Sequence, residues 1–305
     1  MADSRWGIAH HAIRNTKYEI LITPHPLMSD LLHTLRRFNF TPKKSLGQNF
    51  LFDPTILDRI VAAGEVTATD VVLEIGPGAG SLTRCLAETA KQVIAVELDD
   101  RLIPILQYTL ADHPSAAVVH GDILASSLET LILPNQKSEI KNQKFKVVAN
   151  IPYYLTSAII RHLLESKIKP SLIVLTVQRE VAERLCAKPP EMSVLAVSVQ
   201  VYGEPRIVGV IPASAFYPKP DVDSAIVRID LFSDSPFADS DATDQFFSIV
   251  KAGFSQKRKK LKNALASGLK MKMEEVEEML NKAGIDSNRR AETLSVEEWK
   301  RVNRK

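Results

Sequence analysis

Val71-Val72-Leu73-Glu74-Ile75-Gly76-Pro77-Gly78-Ala79-Gly80 joins a five-residue run, apolar but for Glu74, to a glycine turn, and Ser81–Ala90 behind it has helical spacing. A short continuous run of this kind, rich in β-branched residues and stopped by glycine, fits a strand buried on both faces. The alternation recurs downstream, with Val93–Glu97 before a helical Arg101–Leu110, then Ala116–His120, Lys146–Asn150 and Leu172–Val177. Such strands, separated by helices of about ten residues, predict a parallel sheet covered on both sides: a doubly wound α/β domain. Arg206–Ile211 and Ser224–Leu231, parted by the proline-rich Pro212–Pro220, read as an antiparallel edge to that sheet.

The ends differ from this middle. The polar linker Ser233–Asp241 precedes helical spacing in Phe246–Phe254, Leu261–Leu269, Glu274–Ala283 and Val296–Val302, which predicts a small all-helical domain. The expected division is a poorly ordered extension over 1–40, the α/β domain over 41–235 and the helical domain over 240–305. In the extension, His10-His11, Pro24 and Pro26 interrupt any periodicity, so little order is expected before about Arg37. It reads as an acid-poor transit segment or, by preference, as sequence ahead of a start at Met28. The polar stretch Ser126–Lys144 reads as a surface helix and loop.

Of 305 residues, 45% are hydrophobic and 25% charged, which excludes disordered and low-complexity classes. The net charge of +3 hides a division. Residues 1–50 carry seven Lys/Arg against three Asp/Glu (+4), residues 51–250 carry 17 against 25 (−8), and residues 251–305 carry 15 against eight (+7). An acidic body between basic ends suits a protein that holds a small ligand centrally and touches a polyanion with its ends. Cys85 and Cys186 are the only cysteines and form no Cys-x-x-Cys pattern, which fits a reducing, cytosolic compartment. No apolar run approaches the roughly 18–20 residues of a membrane span. No cluster has metal-ligand spacing, and no Ser-His-Asp triad is indicated.

Glycines between strand and helix let the backbone approach a ligand closely. Counted from Gly76, the dinucleotide pattern G-x-G-x-x-G fails at Ser81, and what remains is E-x-G-x-G-x-G. Glu97 closes the second strand, where an acid can accept from ribose hydroxyls, and Asp122 follows the third, placed for an adenine amino group. The fourth strand ends in Val147-Val148-Ala149-Asn150-Ile151-Pro152-Tyr153-Tyr154. An exocyclic base amine is a poor nucleophile because its lone pair is delocalised. Two acceptors aimed at its N–H groups, the Asn150 side-chain oxygen and the Ile151 or Pro152 carbonyl, would favour a pyramidal nitrogen. Tyr153 would give the unstacked base a flat surface. Lys257, Arg258, Lys259, Lys260 and Lys262 crowd a predicted helix start, unfavourably for the helix dipole unless a phosphate backbone relieves them.

Together these motifs resemble the class I S-adenosylmethionine-dependent rRNA adenine N6-dimethyltransferases, over about Pro42 to Arg301. Lys44-Ser45-Leu46-Gly47-Gln48-Asn49-Phe50-Leu51 is similar to the family's N-terminal cofactor segment, Glu74–Gly80 to its glycine loop and Asn150–Tyr153 to its Asn-Ile-Pro-Tyr motif. Pro212–Ala225, Gln256–Leu265 and Arg290–Ser295 are similar to the branch that modifies two adjacent adenines near the 3′ end of small-subunit rRNA. The macrolide-resistance branch, acting on large-subunit rRNA, typically has Ser where Pro77 stands. The resemblance implies S-adenosylmethionine as cofactor. Gln48, Asn49 and Leu51 would line it, Gly76 and Gly78 meet its methionine end, Glu97 hold its ribose and Asp122 its adenine. Asn150 and Pro152 would serve catalysis, with Tyr153 and Phe216 stacking on the base. The expected partner is small-subunit rRNA in an immature small ribosomal subunit. No membrane or metal partner, a monomer and a cytoplasmic location complete the expectation. The alternatives are the large-subunit enzyme and a ribosome-assembly factor acting by docking.

Overall fold

The computed structural model describes residues 26–133 and 144–303. Helix α1 (Pro26–Arg37) precedes a short strand β1 (Phe50–Leu51) and helix α2 (Pro54–Ala63), which starts at Asp53, whose side chain accepts from the Thr55 N–H at 2.9 Å. The predicted α/β alternation then follows as β2 (Val71–Ile75), α3 (Ser81–Ala87), β3 (Gln92–Glu97), α4 (Ile103–Thr109), β4 (Ala116–His120), α5 (Leu128–Ile132) and β5 (Phe145–Asn150). It continues with α6 (Thr156–Glu165), β6 (Leu172–Gln178), α7 (Arg179–Leu185), α8 (Val194–Gln200), β7 (Gly203–Ile211), β8 (Phe216–Tyr217) and β9 (Ser224–Leu231). Four helices complete it: α9 (Ser240–Phe254), α10 (Leu261–Leu269), α11 (Met273–Lys282) and α12 (Val296–Asn303).

Seven strands form one sheet in the order β4-β3-β2-β5-β6-β9-β7, with β4 through β6 mutually parallel and β9 antiparallel to both β6 and β7. Every residue of β2 is buried, as a strand sandwiched between helical layers requires. The chain winds outward from β2 to β4 on one side and from β5 to β7 on the other. The crevice between β2 and β5 is therefore the switch point, where ligands bind at the carboxyl ends of such strands.

Two expectations change. Pro26–Arg37 is helical, and Leu31 and Leu35, one turn apart, are buried with Leu102, Ile105, Leu106 and Leu110. The expectation of little order before about Arg37 does not hold for this stretch, and residues 1–25 lie outside the described residues. Of the polar stretch, α5 is a helix whose Ser127 cap accepts from Thr130 N–H, while 134–143 lie outside the described residues. The linker does begin a helical tail, with Asp239 capping α9. The tail nonetheless shares a core with the sheet: Tyr202, just after α8, meets Phe237 and Phe247 at ring-centroid distances of 5.8 and 6.4 Å.

Candidate active site

A cleft opens at the carboxyl ends of β2, β3, β4 and β5. Gln48, Asn49, Leu51, Gly76, Gly78, Glu97, Asp122, Asn150, Pro152 and Tyr153 all line it, so motifs distant in sequence meet in one cleft.

Its floor is the turn after β2. Gly78 has φ of +61°, and a Cβ there would lie 2.9 Å from the Phe50 ring, so both conformation and space call for glycine. The Gly78 N–H donates to Glu97 Oε2 at 3.2 Å and the Asp99 N–H to Oε1 at 2.8 Å. Each carboxylate oxygen keeps a lone pair for a further donor. Burial pushes the Glu97 carboxyl above the usual range, against the pull of these two N–H groups. On the next strand end Asp122 is exposed; its Oδ1 accepts from Leu124 N–H at 2.9 Å. Glu74 is 1% exposed, and its Oε2 has no hydrogen-bond partner among the described residues. Burial, with the Glu97 charge adding to it, pushes its carboxyl up to about 8.

The segment ahead of β1 roofs the cleft. Gly47, at φ of +60°, turns the chain, and the Asn49 side chain donates back to Gly47 O at 3.2 Å. Asn150, ending β5, donates its Nδ2 to Asn49 O at 3.2 Å, which orients the amide and leaves Oδ1 as an acceptor. The Tyr153 hydroxyl lies 2.6 Å from Ser224 Oγ on β9, fixing the ring. The Pro152 carbonyl already accepts from Leu155 N–H at 3.1 Å, so of the two backbone acceptors weighed the Ile151 carbonyl is the freer.

Two expectations are corrected, for Phe216 and for part of the basic tail. Phe216 does not reach the cleft: β8 pairs with β1, opposing Phe216 to Leu51, and buries the ring to 3% exposure among Leu51, Ile56 and Leu57. Gln48 lines the cleft, yet its amide is committed, accepting from Lys43 N–H at 2.8 Å and donating to Asp99 Oδ2 at 2.7 Å. In the basic tail, Lys257, Arg258 and Lys259 are exposed in the turn before α10, but Lys262 is paired with Glu277 at 2.6 Å and Lys260 donates to Asn288 at 2.9 Å. Sequence reasoning missed Tyr154, 58% exposed in the cleft lining, and the pair Asp99 and Arg101; opposite charges two and four residues beyond the Glu97 strand end were the available signal.

The cleft suits an adenosyl amino acid. Acids stand on successive strand ends, the positive-φ glycine turn after β2 lines its floor, and the orphaned Glu74 oxygen lies in its wall. Sheet order and site define an S-adenosylmethionine-dependent methyltransferase of class I. A family model described as ribosomal RNA adenine dimethylase matches residues 39–304, and the chain belongs to that family. It is 43% identical over 284 residues to the ribosomal RNA small subunit methyltransferase A of Dehalococcoides mccartyi, covering 93% of this chain and 95% of that protein. With the protein of the same name from Bacillus pumilus it shares 42% over 274 residues, 88% and 92% of the two chains. Among solved structures it is similar to the 23S rRNA methyltransferase ErmE (TM-score 0.65, 30% identity, 84% of this chain and 98% of that one). A dimethyladenosine transferase from Plasmodium falciparum gives a TM-score of 0.69 at 25% identity, covering 83% and 95%. Among the described residues no helix is long and apolar enough to cross a membrane, and no group of three His, Cys, Asp or Glu is placed to hold a metal ion.

Proposed function

We propose that this chain acts on small-subunit rRNA, converting two adjacent adenines near its 3′ end to N6,N6-dimethyladenosine. The observation that carries the reading is the fixed Asn150 amide, with Oδ1 left as an acceptor in a cleft that also holds Tyr153, Glu97 and Asp122. The choice of subunit rests on the relatives' printed names and on Pro77 in the glycine loop.

S-adenosylmethionine, when bound, supplies the methyl group. Glu97 would accept from its ribose and Asp122 from its adenine amine, and Gly76 and Gly78 would hold its methionine end, with Asn49 and Leu51 lining the same cleft. Asn150 Oδ1 and the Ile151 carbonyl accept from the N6 hydrogens of the target adenine and hold that nitrogen's lone pair toward the methyl carbon. Tyr153, braced by Ser224, stacks on the flipped base. The methylated nitrogen loses its proton readily once cationic, so a general base of shifted pKa is unnecessary. Lys257, Arg258 and Lys259 meet rRNA phosphates, and the protein works as a cytoplasmic monomer on immature small subunits.

Incubating the protein with labelled cofactor and unmethylated small subunits, then mapping the modified nucleosides by mass, tests this reading. Two dimethylated adenosines in small-subunit rRNA are expected, and modification of large-subunit rRNA instead would overturn the assignment. Asn150→Ala should lower turnover at least about 100-fold, as loss of an aligned polar group at a reacting centre does, while RNA binding persists.

A further inference from the structure

The segment from Phe40 to Leu51 roofs the cleft with little regular structure of its own, a three-residue turn of helix at Lys44–Leu46 and the two residues of β1. Its end is tied by the backbone pairing of β1 with β8, and side chains tie the stretch before it. Asp99 accepts from Gln48 Nε2 at 2.7 Å and from Arg101 Nε at 2.8 Å, and a second Arg101 nitrogen, Nη2, also pairs with it. Arg101 Nη1 donates to Thr41 O at 3.3 Å, and its guanidinium lies 4.7 Å from the centre of the Phe40 ring. One planar cation thus holds the segment at its start directly and near its end through Asp99 and Gln48. Just beyond Gln48, Asn49 O receives the Asn150 amide.

We propose that Arg101 is a positioning residue for methyl transfer, clamping this segment over the cofactor through Asp99 and Gln48. The inference rests on the cleft being the S-adenosylmethionine site. Arg101 itself lies outside the cleft lining, so it acts through the segment and through Asp99, whose N–H also donates to Glu97. Charge-assisted, two-pronged hydrogen bonds are the strong kind, and a fork that also stacks on an aromatic ring is not replaced by lysine. Losing the clamp frees the roof to open, which weakens cofactor binding more than it slows bound substrate.

The test compares wild type, Arg101→Met and Arg101→Lys. Amide hydrogen exchange over residues 41–50 in the cofactor-free protein should be at least about tenfold faster in Arg101→Met, with α3 and β5 unchanged. S-adenosylhomocysteine affinity by calorimetry should fall about tenfold, and KM for S-adenosylmethionine rise in step, with kcat within about threefold. Arg101→Lys should fall between the other two. Unchanged exchange over 41–50, or unchanged S-adenosylhomocysteine affinity in Arg101→Met, would overturn the clamp. Should Arg101→Met fail to fold, Gln48→Leu, which removes the amide but not the cation, must show the same two changes or the proposal falls. A wild type that binds no S-adenosylhomocysteine would instead overturn the cofactor reading, and it differs from failure of the clamp, where wild type binds and the variant binds equally well.

Discussion

At the residue scale, Glu74 sets a cost inside the cleft wall. Its ordinary value of 4.5 becomes about 8 in the folded chain because burial disfavours the carboxylate and Glu97 stands nearby. As pH rises from about 4.5 to 8, the unfolded chain gives up this proton and the folded chain does not, so the unfolded state binds fewer protons and stability falls across that window. Below it both states are protonated, and above it both are ionised. Glu74→Gln removes the titration. Its melting temperature relative to wild type should therefore climb between pH 4.5 and 8 and level off beyond, and a difference flat with pH would refute the assignment. Phe216 carries a second prediction at this scale. As a core residue backing Leu51, it should tolerate Leu with a loss below about 1.5 kcal/mol and near-normal turnover, while Ala costs about 3–5 kcal/mol. Urea unfolding beside turnover separates this from a stacking role, in which Phe216→Leu would fold normally and fail to methylate.

At the element scale, the parallel strands of the sheet were legible because each carries a short apolar, β-branched run, and their ends bring Glu97, Asp122 and Asn150 together. Helix α1 was not legible. Pro24, Pro26 and the histidines mask a short stretch whose order comes from packing Leu31 and Leu35 on α4, a partner some seventy residues downstream. Phe216 was misread for a related reason: two-residue strands such as β1 and β8 leave no periodic trace, and only their pairing settles which way the ring points. Gln48 lies in the cleft wall, but its bond to Asp99 was not legible, since Asp99 lies outside its motif. If α1 is part of the core, Leu35→Ala should lower unfolding free energy by about 2–5 kcal/mol. A urea midpoint unmoved by that substitution would make α1 peripheral.

At the scale of the whole molecule, the net charge of +3 is a cancellation between an acidic body of −8 and basic ends of +4 and +7. The structure sharpens which of the tail's cations remain available. Of the five crowded before and into α10, Lys262 is neutralised by Glu277 and Lys260 is drawn to Asn288, while Lys257, Arg258 and Lys259 project from the intervening turn. The helical tail shares its core with the sheet through Tyr202, Phe237 and Phe247, so this turn is carried on the same packed body as the cleft. A cation resting on phosphate there supplies affinity and register without reading sequence. Replacing Lys257, Arg258 and Lys259 together by Gln should flatten the plot of log affinity for rRNA against log salt by about 2–3, at roughly 0.7–0.9 for each phosphate no longer neutralised. S-adenosylhomocysteine binding should be unchanged in the same protein, because no cleft residue is touched. Replacing Lys262 alone should leave the slope unaltered, since Glu277 already holds its charge. A slope that drops as much for Lys262→Gln as for any of the other three would show that the pair opens on RNA and that all five cations serve.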